Sequence, residues 1–284
     1  MVANHIPINA KIIGANEHES HYVFDLLYNN TSNIESDIHS TDTHGVNNVN
    51  FWILYAFCYQ FAPRYKDLRG RSENGLYGFN NLSHYQDYLL KPIRKIKEPL
   101  IITEWPNVQK IMVSLALKAT TQSIIIGKLS SYERKNRTKK AMWELDNIIR
   151  SLYVLDFIDN ITIRRNVQRA LNRGEAYQQL KRMVSHANFG RLKARTELEQ
   201  QIWNECSRLI TNCIIFYNAT LLSELLAIKE KNKEYEEADL IKRVSPVGWQ
   251  HINLRGRYQF RNKNHGINVA EIIDSWMGST LRIV

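Results

Sequence analysis

The chain has 284 residues, 44% of them hydrophobic, and its 38 Lys and Arg outnumber its 28 Asp and Glu to give a net charge of +10. That composition suffices for one large core or two modest ones and excludes a disordered tail. Three scattered cysteines, Cys58, Cys206 and Cys213, exclude a disulfide framework and a zinc corner. With no secretory pattern in Met1–Ala10 and no run of about 18 apolar residues, the expectation is a soluble cytoplasmic protein in a reducing compartment, away from membranes.

Ile6–Ile13 is Ile-rich and alternates loosely, which predicts a strand closed by Gly14. Glu17–Tyr28 has helical spacing of Val23, Phe24, Leu27 and Tyr28, and Asn29-Asn30 stop it. Ile38–Asp42 predicts a short strand that delivers Asp42 to its C-terminal end before Gly45. Val49–Phe61 is apolar enough for a buried helix, ended by Ala62-Pro63-Arg64, and Tyr65–Leu68 suggests a further strand. From about Tyr85 the pattern turns helical, through Val108–Ile126, Lys139–Ile158 and Thr162–Leu171. Gly174 then precedes a new helix over Glu175–Ala187. Thr196–Lys231 predicts a long amphipathic helix with Trp203, Leu209, Ile210, Ile214 and Tyr217 inside. Lys229–Glu237 is a charged stretch expected on the surface. The tail from Ser245 mixes Trp249, Tyr258, Phe260 and Trp276 with Arg255, Arg257 and Arg261.

The charge is regional. Between Lys128 and Arg195 there are 16 basic and 6 acidic residues, an excess equal to that of the whole chain. Such a surface attracts polyanions, nucleic acid first among them, although a solvated helix face would look the same. His18 and His21 are three apart, not the four that an H-E-x-x-H zinc helix needs, so two surface histidines at a helix start are preferred to a metal site. Five of the nine histidines, His5, His18, His21, His39 and His44, fall in the first 45 residues, which is composition until a fold joins them. Asp42 in Thr41-Asp42-Thr43-His44-Gly45 is an exposed strand-end carboxylate of the kind hard cations select, or a helix cap. Glu175 and Arg182, seven apart, share a helix face where an acid and a cation could hold a metal and a phosphate side by side. Alone, Glu175 reads equally as a first-turn acid that favours the helix dipole.

Several blocks in order, HSTDTHG, FCYQFAPRYKDL, ALNRGEAYQQLKRMVSHANFGRLKARTELEQQIWNECSRLI and SPVGWQHINLRGRYQF, resemble the C-terminal portion of Tn-three family replicative transposases. The resemblance implies an α+β, mostly helical chain: a partial ribonuclease-H-like fold with a large all-α insertion before the catalytic Glu helix. Its expected parts are 1–84 (ribonuclease-H-like), 85–165 (helical insertion), 166–240 (catalytic Glu helix and C-terminal helices) and 241–284 (tail). It makes Asp42 the second catalytic Asp, Glu175 the catalytic Glu 133 residues on, and Arg182 the basic residue that follows it. Asp42 and Glu175 would ligate Mg²⁺ or Mn²⁺. Arg64, Lys66, Lys135, Arg137, Lys139, Lys140, Lys181, Arg191, Lys193 and Arg195 become candidate DNA contacts.

The implied partners are the terminal inverted repeats and target DNA, met by a homodimer in the full-length, nucleoid-associated protein. Asp25, in YVFDLLY, matches a non-catalytic helix, and nothing in Met1–Asp42 resembles the surroundings of the family's first Asp. The resemblance therefore implies an N-terminally truncated chain with little or no strand transfer of its own. The alternatives are an inactive module that binds only DNA or a transposase, and a helical scaffold whose charge confers solubility.

Overall fold

A computed structural model describes residues 1–42, 45–131, 136–188, 194–254, 256–257 and 268–278. The chain divides into two compact units, one of Met1 with Ile8–Asn172 and one of Val2–Pro7 with Arg173–Val284. It is mostly helical with a few short strands, an α+β chain as expected.

In the first unit a 3₁₀ turn, Glu19–Tyr22, leads into α1 (Val23–Tyr28), and β3 (Ile38–His39) pairs in parallel with β4 (Gln60–Phe61) across α2 (Asn50–Ala56). Strand–helix–strand is the connection that parallel pairing requires. The predicted helix over Val49–Phe61 is thus a shorter helix followed by a strand. Cys58 takes φ 64°, its N–H bonds the Tyr55 carbonyl, and the Tyr59 N–H bonds the Leu54 carbonyl at 2.9 Å. That is a Schellman turn with cysteine where glycine is usual. Tyr65–Leu68 is no strand: Asp67 accepts a hydrogen bond from the Gly70 N–H at 2.8 Å and caps α3 (Leu68–Asn74).

Beyond the parallel pair β5 (Tyr77–Gly78) and β6 (Arg94–Lys95), α4 (Glu98–Ala116) begins ten residues before the predicted Val108 and holds Pro106 inside it. Leu100, Ile101, Val108, Ile111, Met112 and Leu115 pack in the core, enough apolar burial to outweigh one missing helical N–H. Lys118, at φ 54°, closes α4 with a second Schellman turn, so the predicted Val108–Ile126 helix splits and α5 (Gln122–Ser131) follows. α6 (Arg137–Asp159), begun by an Asn136 side chain that accepts from the Lys139 N–H, packs against α2 and α4 around Phe51, Ile53, Leu54, Met142, Val154 and Phe157.

α7 (Ile161–Val184) runs unbroken through Gly174. The predicted division at that glycine is absent, and Glu175 lies mid-helix, out of reach of a dipole argument that holds only in the first turn.

In the second unit β1 (Val2–Ala3) and β2 (Ile6–Pro7) form a two-residue hairpin with positive φ at both Asn4 and His5, the twist a type I′ turn supplies. The predicted Ile6–Ile13 strand goes no further than Pro7. α8 (Glu197–Lys231) opens with a capping box in which Thr196 and Glu199 exchange hydrogen bonds. Its buried residues are Ser207, Thr211, Ile214, Ile215, Asn218 and Leu221, whereas Leu209 and Ile210, expected inside, are exposed. Asn218 explains the choice: its amide donates to the Pro246 and Gly248 carbonyls, both at 2.7 Å, and its oxygen meets the His251 ring at 2.8 Å. A polar residue satisfied this way can be buried. α8 is long and apolar enough to cross a membrane, a test that a globular core helix also passes. Lys229 in its last turn pairs with Glu234 and Glu237 ahead of α9 (Tyr235–Lys242), while Glu230–Lys233 and Tyr235–Glu237 are exposed, as expected of the charged stretch. α10 (Val269–Gly278) also packs on α8.

Candidate active site

Asp42 follows directly on the β3–β4 ladder. The Gln60, Ala62 and Arg64 N–H groups donate to the Asp37, His39 and Thr41 carbonyls at 2.8, 2.8 and 2.9 Å. Parallel hydrogen bonding therefore continues to the residue before Asp42, which leaves that half-buried carboxylate at the C-terminal end of a strand, where sites in parallel α/β units collect. The same ladder sets the backbone of Arg64 beside it. The Arg64 guanidinium donates to Gln168 Oε1 at 3.2 Å, and Lys66 is exposed two residues on. Burial pushes His39 down to about 4, with a smaller contribution from the N-terminal charge, so the β3 imidazole is neutral at pH 7.

The Gly45 N–H reaches the Asp42 carbonyl at 3.3 Å. A Cβ at residue 45 would lie 2.6 Å from Thr41 Cβ, so only glycine lets the two segments close. The Gly45 carbonyl accepts from the fully buried Asn50 amide, which also reaches the Ser20 carbonyl, both at 3.0 Å; Gln122 donates to Asn50 Oδ1. Asp25 receives the Gln122 and Ser123 N–H groups at 2.6 and 3.1 Å and caps α5, a structural task for the carboxylate that the resemblance places off the site. Sequence reading did not find Asn50 and Gln122. Asn50 carries one signal, an uncharged amide between Val49 and the apolar Phe51–Leu54 run, which marks burial and no chemistry, and Gln122, between Thr121 and Ser123, carries none.

In the second unit Glu175 is exposed on α7, two residues before the buried Tyr177. Two residues are 200° of helix, so Glu175 points away from the core that Tyr177, Leu180, Ile214 and Ile215 form. Arg182 is exposed on the same face, its Nε donating to the Gln178 carbonyl at 3.3 Å. Lys181 turns the other way: its Nζ donates to Asn204 Oδ1 at 2.6 Å, and burial, helped by Arg208, lowers its pKa. Asp42 belongs to the first unit and Glu175 to the second.

Of the other candidate cations, Arg137 pairs with Glu104 at 3.2 Å, Lys139 lies 5.1 Å from the Trp143 ring centroid, and Lys140 is exposed on α6. Arg195 is exposed, and its N–H donates to Glu199 at 2.9 Å. Lys135, Arg191 and Lys193 lie outside the described residues. His18 and His21 stand 5.7 Å apart, ring to ring. Among the described residues no three His, Cys, Asp or Glu side chains gather where they could share a metal ion.

The sequence matches the family described as Tn3 transposase DDE domain over residues 1–258. It is 30% identical over 253 residues to the transposase for transposon Tn1546 of Enterococcus faecium, with 89% of this chain and 25% of that protein covered. It is 31% identical over 260 residues to the transposase for transposon Tn2501 of Escherichia coli, covering 90% and 26%, and 27% identical to the transposase for transposon gamma-delta of Escherichia coli strain K12, covering 78% and 22%. The chain spans about a quarter of the length of these curated relatives. No solved structure matches it.

Proposed function

The chain belongs to the Tn3 transposase DDE domain family, and from that premise we propose that it carries two of the three acids of a D-D-E site, Asp42 and Glu175, within a ribonuclease-H-like frame. The observation that carries the reading is Asp42 itself, a half-buried carboxylate at the C-terminal end of a parallel strand–helix–strand unit. The parallel pairing of β3 and β4 across α2 supports the ribonuclease-H-like assignment. In the whole protein the reaction is cleavage at the 3′ end of the transposon, then attack of the freed hydroxyl on target DNA. Terminal inverted repeats are the DNA partner, and the whole protein acts as a homodimer.

The donor chemistry fits a hard divalent cation, since both groups are carboxylates, Glu175 exposed and Asp42 half-buried. Asp42 and Glu175 would hold Mg²⁺ or Mn²⁺, which supplies activation of the attacking oxygen and stabilisation of the leaving one. The protein's own part is positional. Asp42 is fixed by the β3–β4 ladder and the Asn50 amide, and Glu175 by a continuous helix. Arg182, on the Glu175 face, is placed to meet a phosphate, and Arg64 and Lys66 extend the cationic edge next to Asp42. Such contacts fix the backbone without reading sequence.

The test is Mn²⁺ binding followed by calorimetry, alongside DNA affinity at rising salt. Asp42→Asn and Glu175→Gln should each weaken Mn²⁺ binding about tenfold or more, while duplex affinity is retained and falls steeply with salt. Equal Mn²⁺ affinity in wild type and both variants refutes the assignment. Glu175→Ala also separates an enzyme, which loses end cleavage, from a module that only binds, which keeps its DNA affinity and has no cleavage to lose.

A further inference from the structure

The first unit contains a cavity of about 300 Å³ between β5, β6 and α6 that the D-D-E reading does not use. Four cations line it, Arg94, Lys97, Lys140 and Arg150, against one acid, Glu144. Glu144 is already committed. Its oxygens take both Arg94 nitrogens at 2.9 Å and the Lys97 N–H at 3.2 Å, and its side chain is nearly buried. The lining therefore carries more cations than acids, with Glu144 taken by Arg94 and the buried Asp146 acting on Arg150 from behind the wall.

Its aromatic groups are arranged to match. The Tyr77 ring has the Arg94 guanidinium 4.7 Å and the Arg150 guanidinium 5.7 Å from its centroid, so cations are held over an aromatic face at a fixed height. The Trp143 indole is 37% exposed. The Nε of Arg150 is buried and has no hydrogen-bond partner among the described residues, while its Nη2 donates to Asn147. A phosphate oxygen is the acceptor that a guanidinium fits best.

We propose that this cavity takes one unpaired nucleotide of the DNA strand, its phosphate against Arg150, Lys97 and Lys140 and its base stacked on Trp143. The proposal rests on the DNA-transposase reading and adds to it a ligand state. A cavity of this size admits a single nucleotide and no paired duplex, so the base must leave the stack to enter. Exposed indole beside cations is the pairing by which single-stranded nucleic acid is held without regard to sequence. The lining residues Lys140, Trp143, Asn147 and Arg150 recur at helical spacing on one face of α6.

The test compares the purified chain's affinity for a paired duplex, for the same duplex with one extrahelical 2-aminopurine, and for free deoxyadenosine monophosphate. Wild type should favour the extrahelical duplex about tenfold and quench its 2-aminopurine emission, since stacking one base on an aromatic is worth that much. Trp143→Leu and Arg150→Gln should abolish both the preference and the quenching, with paired-duplex affinity held within about twofold. Lys97→Gln, at an exposed position in the same lining, gives the same direction if Arg150→Gln does not fold. Equal affinity of wild type for the two duplexes overturns the proposal, as does a preference that survives Trp143→Leu. Mononucleotide that displaces the extrahelical duplex at comparable concentration also overturns it, in favour of a free nucleotide. Paired-duplex binding reports on the DNA reading and the preference on the cavity alone, so the two can fail separately.

Discussion

Asp146 is a buried carboxyl on which the start of α2, and through it the Asp42 turn, depends. It is fully buried on α6, and one oxygen accepts the Phe51 N–H at 2.9 Å and the Trp52 N–H at 3.3 Å. Its other oxygen is buried without a hydrogen-bond partner among the described residues. Replacing Asp146 by Ala leaves two first-turn N–H groups without acceptors, at about 1–3 kcal/mol each. With the longer bond at the low end, the expected loss is about 2–5 kcal/mol. Asp146→Asn keeps the accepting oxygen and separates capping from charge. Burial pushes the carboxyl up to about 7, against the pull of Arg150 and the two N–H groups. Because the folded pKa exceeds the unfolded 3.8, the stability that the neutral carboxyl confers is fully present below 3.8 and lost as pH rises through 7. Wild type should therefore lose stability between pH 5 and pH 8 relative to Asp146→Asn, with the difference largest at pH 8. Urea unfolding followed by far-ultraviolet circular dichroism at both pH values measures all three proteins. An alanine variant within about 0.5 kcal/mol of wild type, or an asparagine variant with the same pH dependence as wild type, refutes the reasoning.

Two backbone predictions follow from the helices. Nothing lies within 4 Å of a Cβ built on Gly174, so Gly174→Ala should stabilise the second unit by about 1 kcal/mol, the ordinary helix-interior difference; a fall in melting temperature would place an unseen neighbour at that position. Lys233 adopts φ 62° at the end of α8, where the Glu234 N–H reaches the Lys229 carbonyl. Lys233→Gly should raise stability by about 1 kcal/mol by relieving left-handed strain, and an unchanged melting temperature argues against that geometry.

Local chemistry made several features legible in the sequence. Thr196 with Glu199 three residues on announced the start of α8, and both side chains form the capping box the pattern predicts. Asn136, just ahead of the helix start expected at Lys139, caps α6 through an equally local contact. The blocks around Asp42 and Glu175 carried the family. Two helix ends were misread where the chain departed from glycine, at Cys58 and Lys118, whereas α8 stops at Lys231 as expected. Cys58, Lys118 and Lys233 all hold Schellman turns with positive φ, whereas Gly174, the apparent breaker, sits inside α7. Packing decided both outcomes, because tertiary burial of Phe51, Leu54 and Leu115 outweighs about 1 kcal/mol of left-handed strain.

The sequence by itself determined where the charge lies, which acids are candidates and which segments have helical period, since each is set by residue identity and spacing alone. Tertiary structure decided which face of α8 is buried, because Asn218 finds acceptors and a partner only when residues 246–251 fold against it. It decided that Lys181 is engaged by Asn204 while Arg182 stays exposed. It also assembled the Arg94, Trp143 and Arg150 cavity from segments some fifty residues apart. Spacing along a chain records only near neighbours, and the partners that fix these side chains are distant ones.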